Sequence, residues 1–241
     1  MRVKSLFVSD IHLGNPNSQP DKLLEVLKKY DFDNLFIIGD FIDMTYLKRK
    51  YYWKQNHSTV IQKVLRLSRK GVKVTYLVGN HDFYIRAIIS EQDISFGDIL
   101  ICNEFTHRTV SGENIYIIHG DCFDGFIRLH PFLYWLGDKS YEFSIQINKV
   151  YNIYRKWRKL EYWSLSAYLK TKVKNVVKFL AEYRKMSEEK LLEVGCDSIM
   201  MGHTHTPEIQ NGKYYNTGDF CESCSYIIED LEGNLDLRFV R

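Results

Sequence analysis

No run of eighteen consecutive apolar residues occurs anywhere in the sequence, so no membrane-spanning helix is expected. The opening MRVKSLFVSDIHLG has only a few successive apolar residues before Asp10 and lacks the apolar core of a secretory signal. Pro/Gly/Ser-rich tracts, acidic tails and low-complexity segments are missing as well, which excludes disordered and fibrous classes. Cysteines are few and odd in number: Cys102, Cys122, Cys196, Cys221 and Cys224. Their irregular spacing makes a poor disulfide framework and fits a reducing cytoplasm. The pair Cys221-x-x-Cys224 has neither the second pair nor the neighbouring His that a zinc site needs, and reads as two reduced thiols lying close. What remains, 241 residues at 45% hydrophobic and 26% charged, is enough for one globular domain spanning 1–241, with an insertion.

The net charge of +3 hides an asymmetry. Residues 126–185 hold 13 Lys/Arg against 4 Asp/Glu, and the remainder 20 against 26. The same stretch is rich in rings, among them Tyr134, Trp135, Tyr151, Tyr154, Trp157, Tyr162, Trp163, Tyr168 and Tyr183. Cations interleaved with aromatics suit an anionic membrane interface or a nucleic acid. A helical hairpin with buried rings and solvated lysines explains the pattern equally well.

Short apolar runs recur, each ending in a small polar block: SLFVSD, NLFIIGD, KVTYLVGN, NIYIIHG and SIMMGH. Their nearly unbroken apolar character predicts strands buried between layers. DKLLEVLKKY and TVIQKVLRLSRKG lie between the first three runs and read as helices, the second stopped by Gly71. This alternation predicts an α/β fold with helices packed on a sheet, and ligands in such folds gather at the carboxyl ends of the strands.

Those ends carry Ser9-Asp10-Ile11-His12, Gly39-Asp40-Phe41-Ile42-Asp43, Gly79-Asn80-His81-Asp82, His119-Gly120-Asp121 and Gly202-His203-Thr204-His205. A single such block is an ordinary turn. Five blocks, each behind an apolar strand, predict a metal site. In Asp10-x-His12 and His203-x-His205 the one-residue spacer lets both side chains leave an extended segment on the same side.

In order and without a missing member, these blocks resemble the D-x-H, G-D-x-x-D, G-N-H-D, H and G-H-x-H pattern of the calcineurin-like metallophosphoesterase superfamily. The resemblance implies a sandwich of two mixed β-sheets flanked by helices. It implies that Asp10, His12 and His205 hold one metal ion, that Asn80, His119 and His203 hold another, and that Asp40 bridges them. His81 corresponds to the family histidine that stabilises or protonates at the scissile phosphate, with Asp82 orienting it, while Asp43 supports the ligands from behind. Two ions about 3.5 to 4 Å apart can neutralise phosphoryl oxygens during in-line displacement. Mixed N/O donors favour manganese, with iron, zinc and cobalt as alternatives, over magnesium.

More narrowly, Tyr162–Lys170, Lys172–Asn175 and Gly218–Cys224 look like the bacterial UDP-2,3-diacylglucosamine pyrophosphatases of lipid A synthesis. That implies a nucleotide-linked lipid substrate cleaved to UMP and diacylglucosamine 1-phosphate. A helical cap at 126–185 would take the acyl chains, and Asp121, Ser166, Lys170 and Lys174 are candidate substrate contacts. Peripheral contact with the cytoplasmic face of an anionic membrane would follow. Well-studied members of that branch carry Arg where this chain has His81, so the broader phosphoesterase pattern is kept here. A soluble phosphodiesterase or nuclease, with the basic stretch as its groove, is the alternative reading. A non-catalytic scaffold fits least, because the full set of ligands and His81 is present.

Overall fold

The computed structural model describes residues 1–89, 92–124, 151–158 and 174–240. By compactness the chain divides into two units, Met1–Asp121 with Ser187–Arg241, and Cys122–Met186.

The first unit is built on two mixed sheets, as the family resemblance implies. The larger has seven strands in the order β12-β11-β1-β2-β3-β5-β4. At its centre β1 (Ser5–Val8), β2 (Asn34–Ile38), β3 (Lys73–Leu77) and β5 (Ile99–Cys102) run parallel. On the flanks β4 (Ile94–Phe96), β11 (Ser225–Glu229) and β12 (Leu235–Phe239) pair antiparallel. The second sheet has the order β6-β7-β8-β10-β9, made of Glu104–Arg108, Asn114–Ile118, Ser198–Met201, Tyr214–Asn216 and Glu208–Gln210 respectively. All five apolar runs of the sequence are strands: β1, β2, β3, β7 and β8.

The period of two sorts their side chains. Leu6, Val8, Leu35, Ile37 and Val74 turn to one face of the large sheet. There they meet Leu23, Val26 and Leu27 of α1 (Pro20–Lys29) and Val60 and Val64 of α3 (Gln55–Arg69). Phe7, Phe36, Ile38 and Leu77 turn to the other face and pack with Ile115, Ile117, Met200 and Tyr215 of the second sheet. Pro20 opens α1, where its missing N–H costs nothing. Past the end of α3, Gly71 adopts φ +92°, which fits its reading as a stop signal.

One polar group joins the sheets through this apolar layer. Glu229 on β11 is fully buried and accepts from Ser5 Oγ at 2.5 Å, His107 Nε2 at 2.8 Å and the Val110 amide at 2.8 Å. The His107 ring lies 4.9 Å from that of Phe36, which stacks on Phe7. Burial works to raise the Glu229 pKa, but its bond with His107 and those with Ser5 and Val110 outweigh it and hold the carboxyl below its ordinary 4.5. A depressed carboxylate contributes stability that is present above the unfolded pKa and lost as pH falls through the folded one. Glu229→Gln is therefore expected to cost about 1–3 kcal/mol at neutral pH and to flatten the loss of stability below pH 4.5, measured by urea unfolding across pH. An unchanged acid limb would contradict this.

Two short helices complete the described part of this unit: α2 (Met44–Arg49) and α4 (Phe83–Ile88). Helix α5 (Lys174–Val194) spans the boundary between the units. Most of the basic aromatic stretch 126–185 lies outside the described residues. Within the described part of the second unit, Tyr183 is fully buried with Phe123 and Phe179 against it. In the helical stretch 151–157, by contrast, Tyr154 and Trp157 are 51% and 76% exposed. The rings thus divide between core and surface. No described helix is long and apolar enough to cross a membrane.

Candidate metal centre

The carboxyl ends of β1, β2, β3, β7 and β8 bring all seven expected ligands to one place. Asp10 Oδ1 lies 3.4 Å from His205 Nε2 and 3.9 Å from His12 Nε2. Asp40 Oδ2 sits 3.6 Å from His12 Nε2 and 3.5 Å from His119 Nε2. Asn80 Oδ1 is 3.1 Å from His119 Nε2, and the His203 ring is 5.1 Å from that of His119. Asp10, His12 and His205 form one cluster of donors and Asp10, Asp40 and His119 another, each with its atoms within 4.8 Å of one another.

The backbone that achieves this is not the extended one expected for D-x-H and H-x-H. Asp10, His12, Asp40, His203 and His205 all have φ between 50° and 62°, the left-handed region that costs a side-chain-bearing residue about 1–2 kcal/mol. Neighbouring ligands converge because the chain curls, and the rest of the fold holds the strain. Such outliers cluster where function needs them.

The same atoms show why cations fit. Asp10 Oδ1 and His12 Nε2 are buried without a hydrogen-bond partner, although burial of an unsatisfied polar atom is costly. Burial also opposes charge on His119, yet Asp40 beside it pushes its pKa up to about 10. Burial likewise works to raise the Asp40 pKa, and His119 overrides it to hold the carboxyl well below the ordinary range. A field this negative, lined with imidazole and carboxylate donors, suits divalent cations. His119 Nδ1 donates to the Ile38 carbonyl at 2.9 Å, which turns Nε2 inward. The remaining Asp40 oxygen accepts the His81 amide at 2.7 Å, and Asp10 Oδ2 accepts the His203 amide at 2.9 Å.

Glycine is required for the approach at two points. A Cβ on Gly79 would stand 2.2 Å from Asp40 Oδ1, and one on Gly202 2.3 Å from Asp10 Oδ2. Gly79→Ala is expected to displace Asp40 and reduce bound metal severalfold in elemental analysis, while the far-UV spectrum of the fold persists. Undiminished metal would contradict the close approach.

Supporting carboxylates differ from expectation in one respect. Asp43, not Asp82, faces His81: Asp43 Oδ1 is 2.7 Å from His81 Nδ1. Asp82 instead accepts the amides of Phe41 and Ile42 at 3.1 and 3.0 Å. It opens α4, and a chain entering a helix at that point turns its side chain back toward the β2 loop. Burial first, then Asp40, pushes Asp82 up to about 6. Asp43 also lies 3.4 Å from His12 Nδ1, accepts Asn15 Nδ2 at 2.8 Å and caps α2 through the Tyr46 amide. It forms a three-donor cluster with His12 and His81, but its oxygens are already engaged. Burial raises its pKa, and the bonds to His12 and His81 carry it the other way, well below the carboxylate range. The charge on His81 is disfavoured by burial and favoured by Asp43, with a net raised pKa, as a proton donor needs.

Sequence reasoning passed over Asp219. It is buried, lies 3.4 Å from His205 Nδ1 and accepts three amides, those of Cys221, Glu222 and Ser223. The available signal was the pair Gly218-Asp219, which follows the short strand Tyr214–Asn216 as the other blocks follow theirs. Cys221 and Cys224 are free thiols in this turn. Of the candidate substrate contacts, Asp121 has both oxygens taken by Arg86, at 2.6 and 3.1 Å, so it braces the strand ends. Ser166 and Lys170 fall outside the described residues, and Lys174 is the first residue of α5.

Two mixed sheets that converge strand ends on clustered carboxylate and imidazole donors define a metal-dependent phosphoester hydrolase. The chain belongs to the calcineurin-like phosphoesterase family, whose model matches residues 3–207; that family uses a dinuclear divalent metal centre. It is similar to the UDP-2,3-diacylglucosamine hydrolase of Blochmanniella floridana, 26% identical over 227 residues, covering 86% of this chain and 81% of that one. The protein of the same name from Pasteurella multocida is 22% identical over 232 residues, covering 86% and 84%. Among solved structures, Vps29 of Cryptosporidium parvum covers 98% of this chain and 91% of its own at TM-score 0.47 and 14% identity.

Proposed function

We propose that this phosphohydrolase cleaves the pyrophosphate of UDP-2,3-diacylglucosamine, releasing UMP and 2,3-diacylglucosamine 1-phosphate. The observation that carries the reading is similarity along most of the chain's length to hydrolases named for that substrate. The exposed Tyr154 and Trp157 beside Arg155, Lys156 and Arg158 support peripheral attachment to the cytoplasmic face of an anionic membrane.

In the proposed assignment Asp10, His12 and His205 hold one ion, Asn80, His119 and His203 the other, and Asp40 is shared. Manganese is the proposed occupant, with iron, zinc or cobalt as alternatives. Bound ions supply charge neutralisation at the phosphoryl oxygens and activation of the attacking water. His81, with Nδ1 held by Asp43, presents Nε2 and its proton to the departing oxygen. Asp219 and the Ile38 carbonyl fix the rings of His205 and His119.

His81, in place of the branch's Arg, favours a second reading: a phosphodiesterase or nuclease acting on soluble substrates. Steady-state kinetics separates the two. A kcat/KM on UDP-2,3-diacylglucosamine at least about 100-fold above that on bis-p-nitrophenyl phosphate supports the lipid reading, the scale of difference that binding of the remote substrate parts brings to kcat/KM. The reverse order overturns it.

A further inference from the structure

From Met44 to His81 the chain carries nine Lys/Arg and not one Asp or Glu. Four of these cations, Lys48, Arg49, Lys50 and Lys54, fall within residues 48–54 beside Tyr51, Tyr52 and Trp53. All four are exposed, and among the described residues none pairs with a carboxylate. Tyr51 between them is 80% exposed.

This segment borders the metal centre. Helix α2 starts on Asp43, the carboxylate held against His81 and His12. At its other end Lys48 Nζ lies 5.8 Å from the ring centre of Tyr84, three residues past His81. Helix α4 in turn exposes Phe83, Tyr84 and Ile88, the last at 72%. Apolar tips set among cations that have no carboxylate partner match a bilayer interface, where rings and aliphatic groups enter the headgroup layer and Lys/Arg meet anionic lipid. A nucleic acid could stack on the rings but offers nothing to an exposed isoleucine.

The same segment walls a cavity of about 260 Å³ whose lining includes Lys22, Tyr52, Lys54 and His57. His57 is 2% exposed. Its Nδ1 accepts the Gly14 amide at 2.7 Å, which places the ring proton on Nε2, where no acceptor meets it among the described residues. Helix α3 begins at this cavity without a side-chain cap, so its first amides add donors. Asp21 stands at the mouth with its carboxylate held by Asn56 Nδ2 at 2.9 Å. The cavity therefore offers one phosphate group two cations, an imidazole N–H and helix-start amides.

We propose that residues 48–54 and the exposed tips of α4 are a docking surface for an anionic phospholipid bilayer, with one lipid phosphate seated in the His57 cavity. The inference rests on the lipid-substrate reading, since docking there brings the metal centre to the leaflet from which an acylated substrate is drawn.

Co-sedimentation of the full chain with vesicles tests it. The wild-type protein is expected to bind phosphatidylethanolamine/phosphatidylglycerol vesicles and not phosphatidylcholine vesicles. Arg49→Glu/Lys50→Glu should weaken that binding by about 100-fold, the scale of several interfacial charges. Lys22→Ala/Lys54→Ala should weaken it about tenfold, and Ile88→Ser severalfold. Arg49→Glu/Lys50→Glu and Ile88→Ser should hydrolyse bis-p-nitrophenyl phosphate as the wild type does, which shows that they fold. Equal vesicle binding by wild type and Arg49→Glu/Lys50→Glu overturns the proposal, and an unaffected Lys22→Ala/Lys54→Ala removes the phosphate seat. Binding of single-stranded RNA as tight as that of anionic vesicles, insensitive to Ile88→Ser, would make the surface a nucleic-acid groove instead. Vesicle binding without turnover of UDP-2,3-diacylglucosamine leaves the docking surface standing and sinks the substrate reading alone.

Discussion

Asp40→Ala is expected to abolish metal binding and activity together, lowering kcat/KM on any phosphodiester by on the order of 10⁴-fold, as when one member of a catalytic unit is removed. Asp40 is the carboxylate closest to both halves of the cage, 3.6 Å from His12 and 3.5 Å from His119. Its loss leaves two buried histidines without the charge that organises them. It also frees the His81 amide, which Asp40 Oδ1 accepts at 2.7 Å, so the effect reaches the proposed proton donor as well as the proposed ligands. Elemental analysis after gel filtration reads the first consequence and a chromogenic assay the second. An Asp40→Ala protein that keeps two tightly bound ions would contradict the shared role.

The second large effect is at His81. His81→Ala should leave metal content unchanged and lower kcat by about 10²- to 10⁴-fold, the range for a general acid. Asp43 provides a finer check, because it faces His81 while Asp82 does not. Asp43→Asn is expected to lower kcat by about 10- to 100-fold, as for partners that orient a reacting group. Asp82→Asn should act mainly on stability, since its oxygens hold the Phe41 and Ile42 amides. If Asp82→Asn proved the more damaging to kcat with stability intact, the orientation of His81 would have to be reassigned.

Much of this was legible in the sequence because it depends on local pattern. A β-strand buried on both faces writes itself as an apolar run, and five such runs ending in Asp, Asn or His mark the strand ends where the donors cluster. The two sheets followed from family resemblance, not from periodicity: nothing in NIYIIHG or SIMMGH says that these strands leave the first sheet. What was misread depends on backbone direction. The left-handed φ of Asp10, His12, Asp40, His203 and His205 cannot be seen in residue types that normally avoid it, so the D-x-H spacing suggested an extended chain. Asp82 adjoins His81 in sequence, yet helix α4 begins there and turns it away, while Asp43 arrives from another strand. Asp219 escaped notice for the same reason, being distant in sequence from the His205 it supports. The buried Glu229 gave no signal at all, since its partners Ser5 and His107 lie far away along the chain.

The central claim is a pair of metal ions shared by seven named side chains at the strand ends. Anomalous X-ray diffraction from crystals of the protein grown with manganese tests it most directly. Two anomalous peaks flanking Asp40 are expected, one against Asp10, His12 and His205 and the other against Asn80, His119 and His203. A single peak, or a pair centred on Asp43 and His81, would contradict it.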